Sequence, residues 1–282
     1  MRAFYLNQSF FILSFSFFLM KQRAFDVLGN IAIVKFSDGA KLRDKKKFAQ
    51  KILNENKAIK TVLEKIGKVK GRLRKIHTKY IAGEKTKEVL YKENGCVFRF
   101  NVDTTYFSPR LSNERKEIAS KIKPGEKVLV MFAGVAPFSV IIAKNSKAEK
   151  VFSNEINRKA NKYGKLNIEL NNLKSKIEML DGDIKKVAEN LKKKNIKFDA
   201  IVMPRPNLKE TFLKQAFALS RKGTRIYYYG FCKCDSVSQK KLIEGIKEEA
   251  KKFGKRINIL KIKIAGAIAP FKIRLRVDFV VE

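Results

Sequence analysis

Arg110 and Glu114 lie four residues apart in SPRLSNER and offer more chemistry than any other pair in the sequence. A carboxylate can take a proton from a weak acid. A guanidinium beside it can hold the negative charge left on a neighbouring oxygen. At this spacing the two share one face if a helix starts early in the segment. A second reading stays open, because a Glu in a first helical turn also suits the helix dipole and an ion pair with Arg110.

A second constellation begins in KVLVMFAGVAPFS, residues 127–139. A short apolar run stops on Ala-Gly, as a strand does where backbone closely approaches a small molecule. The spacing is not GxGxxG, and no Lys-Ser/Thr follows Gly134, which disfavours a phosphate cradle. About 20 residues on, Glu155 in NEIN can accept from both hydroxyls of a ribose. Asp183 in LDGD can accept from an adenine amino group. An acid at a strand end is commonly just a helix cap. Together, the glycine turn and the two acids suit an adenosyl ligand without phosphates, S-adenosylmethionine.

These residues need a scaffold. From residue 116 onward the pattern alternates strand and helix. The strand candidates are KVLVMF, KVFSNEI, KIEMLD, FDAIVMP, TRIYYYGF, INILKIKI and RLRVDFVVE. That predicts a doubly wound sheet with ligand at the carboxyl ends of its strands. AGAIAPFK joins the last two strands as a closing antiparallel pair. The three tyrosines of TRIYYYGF are expected in the core rather than stacked on bases. From residue 24 to 103 the pattern is mixed. DVLGNIAIVKF reads as a hairpin turning at Gly29-Asn30, and KKFAQKILNE as a helix. KTVLEKIG reads as a strand or short helix. KYIAG, KEVLYKENG and CVFRFNVD read as short strands, the last two joined by an Asn-Gly turn.

Composition narrows the partner. The 282 residues carry a formal net charge of +36 with 45% apolar residues, so a core forms and polyanions are attracted. Residues 41–79 hold 15 Lys/Arg against three acids, Asp44, Glu55 and Glu64. Such a lopsided run favours phosphate contacts. With His77 as the only histidine, a Ser-His-Asp triad or a His-rich metal site is nearly excluded. Cys96, Cys232 and Cys234 match no zinc spacing and read as free thiols of a reducing cytoplasm; no metal is expected. FFILSFSFFLM, residues 10–20, is about half a membrane span. KQR follows it, and no cleavage site does. It is expected to be an upstream extension with the natural start at Met20, and no stable membrane association is expected.

FSPRLSNERKEIA followed by MFAGVAPFS resembles the tRNA (guanine-N1)-methyltransferase family acting at guanosine 37, archaeal members above all. DVLGNIAIVKF, KTVLEKIGKVKG, IAGE, KENGCVFRF and APFKIRLRVDF extend the resemblance from residue 24 to the end. Beyond an apolar extension expected over 1–19, it implies a small basic α+β RNA-binding domain over 20–103 and a Rossmann-like methyltransferase domain with a seven-stranded mixed sheet over 104–282. The separate tRNA-elbow domain of many members is expected to have no counterpart. Guanine N1 keeps its proton at neutral pH, so a base must remove it while charge gathers on O6. The resemblance implies Glu114 as that base, with Arg110 and Arg74 holding the target nucleotide. It implies S-adenosylmethionine contacts from Arg115, Phe132, Ala133, Gly134, Ala136, Phe138, Glu155, Ile156, Asp183, Ile184 and Pro204. Lys70, Arg72 and Arg205 are expected to contact RNA, the partner being a tRNA anticodon stem-loop. A cytoplasmic monomer is expected.

Two departures stand out. Val130 occupies the place of an Asp that family members carry before MFAG. Pro204-Arg205-Pro206 replaces their Asn-Leu-Pro; Asn207 stands three residues on, and Arg205 is expected at the active-site rim against a phosphate. Two alternatives stay open: aminocarboxypropyl transfer in wybutosine synthesis on the same scaffold, and a non-catalytic tRNA-binding homologue.

Overall fold

The computed structural model describes residues 25–70, 75–205 and 208–282, with the side chains of 68–70 and 75 outside the description. The segment 1–19, Arg72, Arg74, Pro206 and Asn207 lie outside the described residues. Lys70 is described only as the backbone end of a strand.

The small unit is a four-stranded sheet, β1 (Phe25–Leu28), β2 (Ile31–Val34), β3 (Thr61–Lys70) and β4 (Lys75–Gly83), in that order. Helix α1 (Leu42–Glu55) makes the crossover between the parallel pair β2 and β3. KTVLEKIG is therefore a strand. All four residues of β2, IAIV, are buried, because both faces of this sheet are covered. Ala32 and Val34 pack with Ala49 and Ile52 of α1. Ile31 and Ile33 point the other way, into the core that holds Phe98 and Phe100.

Those phenylalanines belong to the hairpin β5 (Glu88–Glu93) and β6 (Cys96–Asn101), which turns at Asn94-Gly95. The domain boundary expected at 103/104 falls after this hairpin, yet the hairpin is bonded on both sides. Asn30 donates from Nδ2 to the Glu88 carbonyl (3.2 Å) and accepts at Oδ1 from the Leu90 amide (2.8 Å). Gly29, at φ +55°, has no room for a side chain, since a Cβ would stand 1.9 Å from the Leu90 carbonyl oxygen. On the far side the amides of Val97 and Arg99 donate to Asn171 and Asn167, at 2.9 and 2.7 Å.

The large sheet holds β7 (Lys127–Val130), β8 (Lys150–Glu155), β9 (Ile177–Asp181), β10 (Phe198–Met203), β11 (Ser220–Lys233), β12 (Ile257–Ala269) and β13 (Lys272–Val281). Its spatial order is β12-β13-β11-β10-β7-β8-β9. β13 runs antiparallel to β12 and β11 on either side of it, as the closing pair predicts, and the other pairs are parallel. The connector AGAIAPFK is shorter than expected. Register shifts let β12 continue through AGAIA, leaving a turn at Pro270-Phe271. Helices α2 (Ser112–Lys121), α3 (Pro137–Asn145), α4 (Arg158–Leu170), α5 (Ile184–Lys193), α6 (Leu213–Ala218) and α7 (Ser236–Lys252) cover the sheet. Strands such as AIVM of β10 are apolar throughout because helices lie on both sides. Tyr227, Tyr228 and Tyr229 are all core residues. No helix among the described residues is long and apolar enough to cross a membrane.

Asn167, fully buried on α4, also donates from Nδ2 to the Val135 carbonyl (3.0 Å), so one amide ties the hairpin to the turn after β7. Asn167→Ala strands both backbone groups, and we expect it to lower stability in urea unfolding by about 2 kcal/mol.

Candidate active site

The turn after β7 is bent by three left-handed residues, Phe132 (φ 59°), Gly134 (φ 60°) and Ala136 (φ 65°). Two of them carry side chains, a conformation that costs energy and persists only where its surroundings enforce it. Glu155, at the end of β8, does much of the enforcing. Its Oε2 accepts from the Gly134 amide at 2.7 Å, and its Oε1 accepts from the Asn157 amide at 2.7 Å. The Ala133 amide donates to the Asn154 carbonyl (2.8 Å), and Asn154 Nδ2 donates to the carbonyls of Leu180 and Gly182 beyond β9 (2.8 and 3.0 Å). Asp183 caps α5 through the Lys185 amide (3.0 Å). The carboxyl ends of β7 to β10 thus converge on one place. Phe132, Gly134, Ile156, Asp183 and Pro204 stay partly exposed there, while Ala133, Ala136, Phe138 and Ile184 are buried beneath. Val130, which stands where the resemblance implies an Asp, is wholly buried in β7 between Ser153 and Val202.

SPRLSNER divides its duties. Arg110 lies in a 3-10 turn (Pro109–Leu111), and α2 begins only at Ser112. The expected shared face with Glu114 therefore does not form. The Arg110 side chain is 73% exposed and makes only a loose pair with Asp26 at 3.4 Å. Glu114 turns inward. It accepts from Arg276 Nη1 (2.6 Å) and the Tyr229 hydroxyl (3.1 Å), and pairs with Lys263 (2.7 Å). Arg276 has no exposed side-chain surface, and it also binds Glu117 and Asp278 (2.5 and 2.8 Å). Burial and the Glu114 charge hold the Tyr229 hydroxyl well above its ordinary range, so it stays a donor.

Arg115, expected beside the cofactor, is also buried. Its guanidinium meets Glu93 in a two-point pair (2.5 and 2.6 Å) and donates to the Ser108 carbonyl (3.1 Å). It lies over Phe107 and Phe138, at 5.0 and 5.8 Å from the ring centres. Arg205 departs from the rim position expected of it. Only 5% exposed, it donates to the carbonyls of Leu208 and Glu210 and lies over Tyr228. Burial lowers its pKa, and an inward guanidinium is turned away from any surface phosphate.

A cleft of about 320 Å³ opens between the small unit, the segment 105–110 and the tip of the β12–β13 hairpin. Arg110, Arg274, Lys65 and Tyr106 are among its lining residues. A Cβ at Gly134 would stand 3.4 Å from the Tyr106 carbonyl oxygen, so the cleft and the glycine turn share a wall. Among the described residues no cluster of His, Cys, Asp and Glu could hold a metal. Sequence reading missed Tyr229, Lys263, Arg274, Arg276 and Glu93. Their only signal was charge or hydroxyl inside apolar strands, as in KIRLRVDF, and that pattern names no partner.

The buried charges give two expectations. Arg276→Met leaves Glu114 and Asp278 without their buried partner and should cost about 3–5 kcal/mol in denaturant unfolding. Glu117 is held well below the usual carboxylate range, first by the hydrogen bond from Arg276. Its folded pKa lies below the unfolded one, so its contribution is complete above about pH 4.3 and fades as pH falls further. The stability of Glu117→Gln should therefore fall less steeply than that of the parent between about pH 5 and 3.

With this geometry in place, comparison with known proteins is direct. The TRM5/TYW2 methyltransferase domain matches residues 89–260, and the TYW2 N-terminal domain matches residues 19–86. The chain is 35% identical over 256 residues to tRNA (guanine(37)-N(1))-methyltransferase Trm5b of Pyrococcus abyssi, covering 91% of this chain and 74% of that one. The crystal structure of that protein superposes with a TM-score of 0.79 over 92% of this chain and 75% of that one. A relative from Nanoarchaeum equitans, tRNA (guanine(37)-N(1))/4-demethylwyosine(37)-methyltransferase Taw22, is 33% identical over 90% of this chain and 98% of its own. The structure of a complex of aTrm5 with tRNALeu, 30% identical, superposes at 0.78 over 92% of this chain and 72% of that one. The chain belongs to the TRM5/TYW2 methyltransferase family.

Proposed function

We propose that this protein is an S-adenosylmethionine-dependent methyltransferase that makes N1-methylguanosine at position 37 of tRNA. The observation that carries the reading is the carboxylate-clamped glycine turn at the end of β7, in a chain 35% identical to Pyrococcus abyssi Trm5b over 91% of its length. The residues at this turn suit the cofactor. Glu155 accepts backbone amides at both oxygens, which fixes its carboxylate at the turn where ribose hydroxyls would meet it. Phe132 and Ile156 offer apolar surface to adenine, and Asp183 an acceptor. Ala133, Ala136, Phe138, Ile184 and Pro204 shape the floor, and Arg115 fixes Phe107 and Phe138 from behind. When bound, S-adenosylmethionine supplies an electrophilic methyl group on a sulfonium.

The cleft lies next to that turn and receives the flipped guanine. Arg110 and Arg74 hold the nucleotide. Glu114 takes the N1 proton, and Lys263, about a third exposed, is the partner it can release to do so. The exposed basic side chains of α1, among them Arg43, Lys46, Lys47 and Lys51, grip the anticodon stem with Lys70 and Arg72. The protein acts as a cytoplasmic monomer. A second acceptor, 4-demethylwyosine, is favoured by one observation: this chain spans 98% of the Nanoarchaeum equitans relative whose name includes it.

Purified protein, S-adenosylmethionine labelled separately in the methyl and aminocarboxypropyl groups, and tRNA transcripts with G37, A37 or 4-demethylwyosine test this reading. We expect N1-methylguanosine on the G37 transcript and none on A37, with Glu114→Gln slowing transfer by about 10²–10⁴-fold. Transfer of the aminocarboxypropyl label, or tRNA binding without transfer, would sink it.

A further inference from the structure

Arg115 and Arg276 each rest on acids, but Arg205 is buried without a carboxylate. A single nitrogen, Nη2, donates to both the Leu208 and the Glu210 carbonyls. Nε is buried and has no hydrogen-bond partner. The acids whose charge reaches it, Glu249 and Glu210, are engaged elsewhere. Glu249 accepts from the Thr211 hydroxyl (2.7 Å), and Glu210 pairs with Lys185 (2.9 Å). The rings of Tyr228 and Phe231, 5.5 and 5.9 Å from the guanidinium carbon, answer only part of the charge. A buried cation in this state is costly.

Arg205 lines a cavity of about 390 Å³ at the end of β11, walled by the segment 205–211 and α7. That is room for a small molecule. The cavity is separate from the active-site cleft. Tyr228, in its wall, packs into the core on the opposite face of the sheet from Tyr229, which bonds Glu114. Its lining is of two kinds. Leu208, Leu242 and Ile246 form an apolar wall, and the exposed Lys209, Lys233 and Lys241 stand around the opening. Among the described residues that line it, Glu249 is the only acid. Four cations thus face one carboxylate.

We propose that this cavity is a binding site for a small organic phosphate, whose dianionic phosphate ester meets Arg205 and the three lysines while its apolar or aromatic body lies against Leu208, Leu242 and Ile246. The excess of cations over acids calls for an anion of more than one charge, and the apolar wall calls for a body that inorganic phosphate lacks. Gly245 of α7 shows that the space is open, since a Cβ there would meet nothing within 4 Å.

Calorimetric titration of the full chain with phenyl phosphate, inorganic phosphate and phenol tests it. Phenyl phosphate should bind, and the other two far more weakly, since each offers only half of the recognised chemistry. Its affinity should fall as pH drops through about 6, where a phosphate monoester loses its second charge. Arg205→Leu should weaken binding by about 10–100-fold. That variant also releases two carbonyls, so Gly245→Leu provides an independent check. It fills the cavity from a helical position and leaves Arg205 in place, and it should abolish binding without lowering the melting temperature. Arg110→Ala, altered in the active-site cleft, should bind phenyl phosphate as the parent does. Equal binding by the parent and Gly245→Leu, or no binding by the parent, would overturn the proposal. So would displacement of phenyl phosphate by tRNA together with weaker tRNA binding by Gly245→Leu, which would assign the cavity to a phosphate of the RNA strand.

Discussion

A single guanidinium organises the carboxyl half of the molecule. Arg276 sits with no exposed side-chain surface among Glu114, Glu117 and Asp278, and Lys263, Lys261 and Lys121 pair with the same three acids from outside. Removing one partner from such a cluster leaves an uncompensated buried charge, so the pairs within it hold one another in place. It fixes the register of β13 between β11 and β12, because a slip of one residue would carry Arg276 to the opposite face. It also fixes α2, which supplies Glu114 and Glu117.

From α2 the constraint passes outward. Glu114 and Arg115 are consecutive, so they leave the helix in different directions. One binds the sheet, and the other binds Glu93 at the end of β5. Arg115 also stacks on Phe107 and Phe138, and Phe107 stacks on Phe100 at 4.7 Å. The hairpin, the segment before α2 and the first turn of α3 are thus set together. Asn167 adds the link to Val135 within the glycine turn. The strained backbone at Phe132, Gly134 and Ala136 is held from two sides, by Glu155 behind and by this aromatic and amide framework beside it.

The architecture was largely readable beforehand, because apolar strands buried on both faces leave an unmistakable rhythm, and the glycine turn and Glu155 fell where that rhythm put them. Two kinds of error remained. SPRLSNER offers one helical face only if its helix starts early, and Pro109 instead starts a separate 3-10 turn that parts Arg110 from Glu114. The rigid Pro-Arg-Pro segment suggests a rim position for Arg205 against a phosphate, whereas aromatic rings and backbone carbonyls receive it inside. The partners of Glu114 were invisible for a simpler reason. Arg276 lies 162 residues away, and a charge within an apolar strand does not reveal which distant charge it meets.

That separation bears on how the protein is made. Of the seven strands in the large sheet, the one carrying Arg274 and Arg276 is synthesised last, yet it lies between β11 and β12 rather than at an edge. Until it emerges from the ribosome, β11 has a bare flank and Glu114 lacks its buried cation. The half that carries the glycine turn can collapse earlier, since β7 to β10 are mutual neighbours. The carboxylate-clamped turn can therefore take shape before the buried charges around Arg276 are complete.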